Sequence, residues 1–317
     1  MPTVRPCFEC AHESLNQLWI AENAKGTCRA TLRGVQEPFI GSEALACGAL
    51  DRHQLRTRYR TLLPNVYLSA TAQPCLEQRI SAAWLWSRGR ATIAGAAAAA
   101  LHGAKWIPNA VPVELICVNS RPPDGVLTRR CLLLDGEAQT MAGRSVTTPE
   151  RTAFDIGRGA AIHPAVARLD ALAAATGFKV EDVLLVSRRH PRSPGLRRLE
   201  SALELVDAGA QSPRESYLRL LLIESGFPRP QTQIPVLGAD AIPSAYIDVG
   251  WEEYMVGVEY EGAEHQTDRG RYVNDIHRLE MVEQKGWLIV RVVAEDRRAD
   301  IVRRVRMAMV ERGWSGS

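Results

Sequence analysis

Up to residue 34 the chain shows little regular apolar pattern. From Val35 the pattern becomes readable. GSEALACG (41–48) spaces its apolar residues as a short helix ending at Gly48, with Ser42 as its cap. DRHQLRTRYRTLL (51–63) reads as a second helix capped by Asp51, and PNVYLSA (64–70) as a turn and a short strand. LEQRISAAWLWSRG (76–89) and AGAAAAALHG (94–103) are helical runs that each meet a glycine. VPVELICV (111–118) and RRCLLLDG (129–136) read as strands, and TTPERTAFDIGRG (147–159) as a helix opened by Thr-Pro. RRHPRSPGLRR (188–198) breaks the pattern with Pro and Gly and reads as a loop or linker.

Beyond about residue 206 the pattern sharpens. SPRESYLRLLLIESG (212–226) is a helix with Ser212 as cap, Pro213 in first position and Gly226 past its end. AYIDVGW (245–251) and MVGVEYEG (255–262) alternate as strands. RYVNDIHRLEMVEQKG (271–286) places Tyr272, Ile276, Leu279 and Val282 on one helical face. WLIVRVV (287–293) is a third strand and RRADIVRRVRMAMVERG (297–313) a terminal helix, giving the order αββαβα. The expected fold class is mixed α/β (α+β). It starts with an extension of unassigned structure (1–34) and a winged helix-turn-helix-like segment (35–70), because helix, tight turn, basic helix and strand follow one another there. A middle α/β domain (71–205) and the αββαβα domain (206–317) complete it.

Composition narrows the class. A hydrophobic content of 46% with 24% charged residues is that of a globular chain. No apolar run approaches the roughly 18 residues of a membrane span, and the N-terminus lacks an uninterrupted apolar core, so a cytoplasmic protein without a membrane partner is expected. The net charge is only +3, but lysine is confined to Lys25, Lys105, Lys179 and Lys285, so the positive charge is nearly all arginine. The second helix carries Arg52, Arg56, Arg58 and Arg60, and residues 188–198 carry five arginines and no acid. Arginine suits bidentate contact with phosphate, but a bias of arginine over lysine follows more simply from GC-rich coding, and a solvated basic helix face is the plainer reading of the second helix. Seven scattered cysteines read as free thiols. Cys7, Cys10 and His12, with Cys28 nearby, are weighed as zinc ligands and fall short of a recognisable four-ligand site.

The most charged stretch of chemistry is VGVEYEGAEHQTD (256–268). Side chains repeat every second residue on a strand, so Glu259 and Glu261 share a face. A hairpin centred between Glu253 and Tyr254 sets Asp248 opposite Glu259, about 5 Å away. Three carboxylates gathered at one spot call for a hard divalent cation, Mg²⁺ or Mn²⁺, held by Asp248, Glu259 and Glu261. The plain alternative has Glu259 and Glu261 facing solvent. Glu215 with Ser212 also fits a capping box, and His265 beside the acids is a candidate acid–base group.

The pattern ESYLRLLL…YIDVGW…VGVEYEGAEH…RYVNDIHRLEMVEQKGWLIVRV (about 212–296) resembles the nuclease-like family related to very-short-patch-repair endonucleases, of the PD-(D/E)XK fold. That resemblance implies a restriction-endonuclease-like domain with Glu215, Asp248, Glu259, Glu261 and His265 in the site, and Asp275 and Arg278 as secondary residues. The lysine usual in the wider fold is replaced by Glu261, and a zinc site of the repair enzymes has no cysteines to form it here. FIGSEALACGALDRHQLRTRYRTLLPNVYLSA with ISAAWLWSRGRATIAGAAAAALHGA and VTTPERTAFDIGR (roughly 38–160) resembles the antitoxin component of abortive-infection type IV toxin–antitoxin systems, which implies DNA as partner through Arg52, Arg56 and Arg58. The expected protein is a DNA-binding, Mg²⁺-dependent endonuclease. The alternative is a non-cleaving DNA-binding regulator or antitoxin-like protein with a degenerate nuclease fold.

Overall fold

A computed structural model describes residues 36–118, 121–159, 161–238, 242–261 and 278–316. Its described residues form a mixed α/β protein with three sheets. They group into two compact units, one ending at Thr148 and the other running from Pro149 to the C-terminus with residues His102–Ile107 added.

The first unit opens with β1 (Phe39–Ile40), α1 (Gly41–Ala46) and α2 (Arg52–Arg58). Ser42 does not cap α1. Ile40 holds that place without a side-chain hydrogen bond, and Ser42 instead meets the side chain of Asn65 through its backbone N–H and its Oγ. Asp51 does cap α2. That helix stops at Arg58, and Tyr59–Leu63 is not helical but forms β2, paired with β3 (Val66–Ser69). The reversal lies at Pro64–Asn65, with Asn65 at a φ of 63°. The aromatic and β-branched residues of Tyr-Arg-Thr favour a pleated surface, and the turn gives them a partner strand, which outweighs the helical spacing. The sheet order is β1-β3-β2.

Next come α3 (Leu76–Trp86), β4 (Thr92–Ala94), α4 (Gly95–Leu101), β5 (Val113–Ile116), β6 (Val126–Arg129), β7 (Ala138–Met141) and β8 (Arg144–Thr147). The strands form a five-membered sheet in the order β6-β5-β4-β8-β7. RRCLLLDG contributes only Arg129 to a strand. The pairing residues are Val126–Arg129, parallel to β5, and the apolar run after them stays irregular. The β7–β8 hairpin went unread because its residues alternate weakly.

The second unit holds α5 (Pro149–Gly159), α6 (Ile162–Thr176), α7 (Val180–Arg189), α8 (Leu196–Glu204) and α9 (Pro213–Glu224). A four-stranded sheet follows, of β9 (Gln231–Leu237), β10 (Pro243–Trp251), β11 (Val256–Glu261) and β12 (Leu288–Val293), with the helical residues 278–284 (α10) and α11 (Arg298–Glu311). Its order is β12-β11-β10-β9, antiparallel except for the parallel β11–β12 pair. The additional strand β9 turns the expected αββαβα into αβββαβα. Prolines near both its ends hid it, yet an edge strand tolerates Pro235. Val249, Trp251, Val258, Val290 and Val292 share a core with α9 and α11, while Ile234, Ala245 and Ile247 share another with Val282 of α10. No helix among the described residues is long and apolar enough to cross a membrane.

Candidate functional site

Two residues apart on one strand, Ile247 and Val249 join different cores. Strict pleating would send them the same way. The alternation breaks at Asp248, and across the ladder Gln233 lies opposite it, since Ile247 pairs with Ile234 and Val249 with Thr232. Gln233 sits at a φ of 49°, unusual for a residue with a side chain. The distortion frees both side chains for a cluster of acids.

Val249 pairs with Val258, which sets Asp248 against Glu259 in the expected register. The ladder ends there. Asp248 Oδ2 accepts the Tyr260 backbone N–H at 3.2 Å, so a side-chain oxygen stands where a carbonyl would. Glu215, on the first turn of α9, completes the group. Its backbone N–H donates to Ser212 Oγ, but its carboxylate does not return to Ser212. It accepts the Gln211 N–H at 2.9 Å and Gln233 Nε2 at 3.4 Å. The reciprocal half of a capping box is therefore missing, and Glu215 is buried facing the sheet.

Burial, and then the neighbouring Glu215 charge, push the Asp248 carboxyl up to about 6, against the Tyr260 N–H, Arg278 and Gln233, which favour the anion. Glu259 is only 5% exposed; burial raises its carboxyl too, opposed by Arg278. That opposition is geometric. Arg278 Nη1 donates to Glu259 Oε1 at 3.0 Å and Nη2 to Oε2 at 2.7 Å, a two-pronged fork from α10. Glu261 takes no part. It pairs with Arg291 at 3.1 Å on a half-exposed edge.

Asp248, Glu259 and Glu215 therefore come together, while Glu261 is drawn away, and the expected gathering of Asp248, Glu259 and Glu261 does not form. Among the described residues no three His, Cys, Asp or Glu side chains are placed to hold one metal ion. A divalent ion between Asp248 and Glu259 does not fit this arrangement, because the guanidinium already spans both Glu259 oxygens. His265 and Asp275 lie outside the described residues, as do Cys7, Cys10, His12 and Cys28.

The basic helix α2 is built by a reciprocal cap. Asp51 Oδ1 accepts the Gln54 N–H at 2.7 Å, and Gln54 Oε1 accepts the Asp51 N–H at 3.1 Å. Leu55 is buried with Phe39, Ala44 and Leu50 and fixes the helix's rotation. Arg52, Arg56 and Arg58 are left exposed and form no ion pair among the described residues. Arg60 is on β2 and is occupied, donating to the Ala72 carbonyl.

Residues 188–198 are not a linker but a corner between two helices. Arg188 and Arg189 end α7, Arg197 and Arg198 begin α8, and all four, with Arg192, are exposed. The corner is anchored at both ends. The His190 ring packs on Phe154 at 5.4 Å, and Gly195, at a φ of 86°, lies too close to the Arg158 carbonyl for any Cβ. Sequence reasoning also missed Gln233, Asp170 and Arg219. Arg219 is fully buried in α9 and bonds Asp170 of α6 at 2.9 Å, and Asp170 also accepts Ser216 Oγ at 2.6 Å. A lone charge inside each of the apolar runs LDALAAA and LRLLL was the available signal.

Residues 91–205, about a third of the chain, match the family model of the AbiEi antitoxin C-terminal domain. An uncharacterized protein from each of two Mycobacterium tuberculosis strains is 27% identical over 233 residues, which is 73% of this chain and 84% of each relative.

Proposed function

We propose that this chain is a DNA-binding regulator of the antitoxin type, with a C-terminal nuclease-like domain that does not need to cut. The observation that carries the reading is α2. Three exposed arginines without ion-pair partners among the described residues project from a short helix that is capped, rotationally fixed and backed by a three-stranded sheet. This is the element order of a winged helix-turn-helix; the family match, which lies beyond this helix at 91–205, supports the antitoxin-like character of the chain. Guanidinium forks on duplex phosphates displace condensed counterions, so affinity falls steeply with salt. The five-arginine corner at 188–198 adds a second cationic surface.

Fluorescence anisotropy on a labelled duplex over a salt series tests this. Replacing Arg52, Arg56 and Arg58 together with Ala is expected to lower the slope of log affinity against log salt by about 2–3, since each lost phosphate contact removes about 0.9. An unchanged slope moves the contact elsewhere.

A second reading, Mg²⁺- or Mn²⁺-dependent phosphodiester hydrolysis, has one observation in its favour, the convergence of Glu215, Asp248 and Glu259 with the Asp248 carboxyl pushed up to about 6, and one against it, the Arg278 fork on Glu259. Nicking of supercoiled plasmid, metal-dependent and lost in Asp248→Asn, distinguishes it from the first. If the wild-type chain leaves plasmid intact with either metal, the regulator reading stands.

A further inference from the structure

The acid cluster poses a question that DNA binding leaves open: what neutralises it? Glu259 is almost wholly buried, and a buried carboxylate without a counter-charge is strongly destabilising. Among the described residues two cations are at hand. Arg291 is its direct partner across the parallel ladder, but Arg291 turns to Glu261. Arg278 supplies the other. It holds both Glu259 oxygens and also donates to the Tyr246 carbonyl of β10 at 3.3 Å, so one guanidinium ties β10, β11 and α10 together. Its charge is also felt at Asp248, as an ion between the two acids would be.

We infer that Arg278 is a built-in cation for this cluster, occupying the position on Glu259 that a divalent ion would otherwise take. The chemistry of the two cations differs. A guanidinium is planar, permanently charged and satisfied by two parallel oxygens. It gathers carboxylates as a metal does, but it has no open coordination position at which a bound water could be made acidic. The cluster then serves the fold, joining strand to strand and strand to helix. The inference stands independently of the DNA-binding reading, since it concerns the internal charge of the C-terminal sheet.

The test uses the full chain as wild type, Arg278→Gln, Glu259→Gln and the double variant. Two readouts are taken: Mn²⁺ uptake, from loss of the free-ion electron paramagnetic resonance signal, and thermal melting in Mg²⁺ or in EDTA. The wild type is expected to leave the Mn²⁺ signal unchanged and to melt alike in both buffers. Arg278→Gln exposes the unpaired Glu259 and is expected to melt several degrees lower in EDTA, with part of the loss recovered by Mg²⁺ and with Mn²⁺ now bound. The double variant, lacking both charges, is expected to recover without metal. Should Arg278→Gln fail to fold, the double variant decides: recovery supports the inference and failure overturns it. Stoichiometric Mn²⁺ uptake by the wild type, or an Arg278→Gln chain that melts like the wild type, also overturns it, whatever the DNA-binding result.

Discussion

Asp248 is the residue at which strand geometry and electrostatics meet. Its carboxyl titrates at about 6 in the folded chain, against 3.8 for the free side chain. The native state therefore takes up this proton first as pH falls. Between those two values it binds more protons than the unfolded state, so stability falls as pH rises through them and levels off above about 6. The effect is at most about 3 kcal/mol. Urea midpoints measured from pH 4 to pH 7 are expected to decline for the wild type and to decline less steeply in Asp248→Asn, where the raised Glu259 and Asp170 carboxyls remain; parallel curves would place the titration elsewhere. At this scale the sequence was only partly legible. The i,i+2 spacing of Glu259 and Glu261 was visible, but which arginine each would meet was not. Those partners lie about twenty to thirty residues away along the chain, and nothing local encodes the choice between Arg278 and Arg291.

Among the elements, the β10–β11 hairpin shows best what a pattern can specify. Its register followed from a turn centred at Glu253–Tyr254, because a slip of one residue would have turned every valine to the wrong side. The register also places Gly250 against Gly257. A Cβ on Gly257 would lie 2.7 Å from both Ile247 Cγ2 and Ile289 Cδ1. Gly257→Ala is expected to cost about 1–3 kcal/mol by overpacking, read as a lowered urea midpoint with an unchanged slope. A wild-type midpoint would show that the isoleucines give way freely. Elsewhere local signals competed. Asp51 capped its helix as read, but the helical spacing that continued past Arg58 lost to a strand pairing set by the Pro64–Asn65 turn. The corner at 188–198 read as a linker because Pro and Gly commonly interrupt structure. Here Gly195 instead permits a close approach to the Arg158 carbonyl, a contact with a helix some forty residues earlier.

For the whole molecule, the informative boundary is the one after Thr148. Helices between 149 and 205 look, by sequence, like a continuation of what precedes them. They group with the C-terminal sheet because Asp170 on α6 receives the buried Arg219 of α9, and a fully buried arginine needs its partner. Removing one member of such a pair costs about 3–5 kcal/mol, a large share of a domain's total stability. A fragment of residues 206–317 is therefore expected to lack a cooperative melt by circular dichroism, while residues 149–317 keep one. Equal melts would make α6 dispensable. The parallel pairing of β11 with β12 has a consequence in time. During synthesis β11 is complete before Arg278 and the strand that covers its open edge have been made, and non-local parallel pairing forms late. A chain that terminates before residue 288 keeps that edge open, a template for pairing with other chains. A chain missing roughly its last tenth is therefore expected to aggregate or be cut by protease more readily than the finished protein.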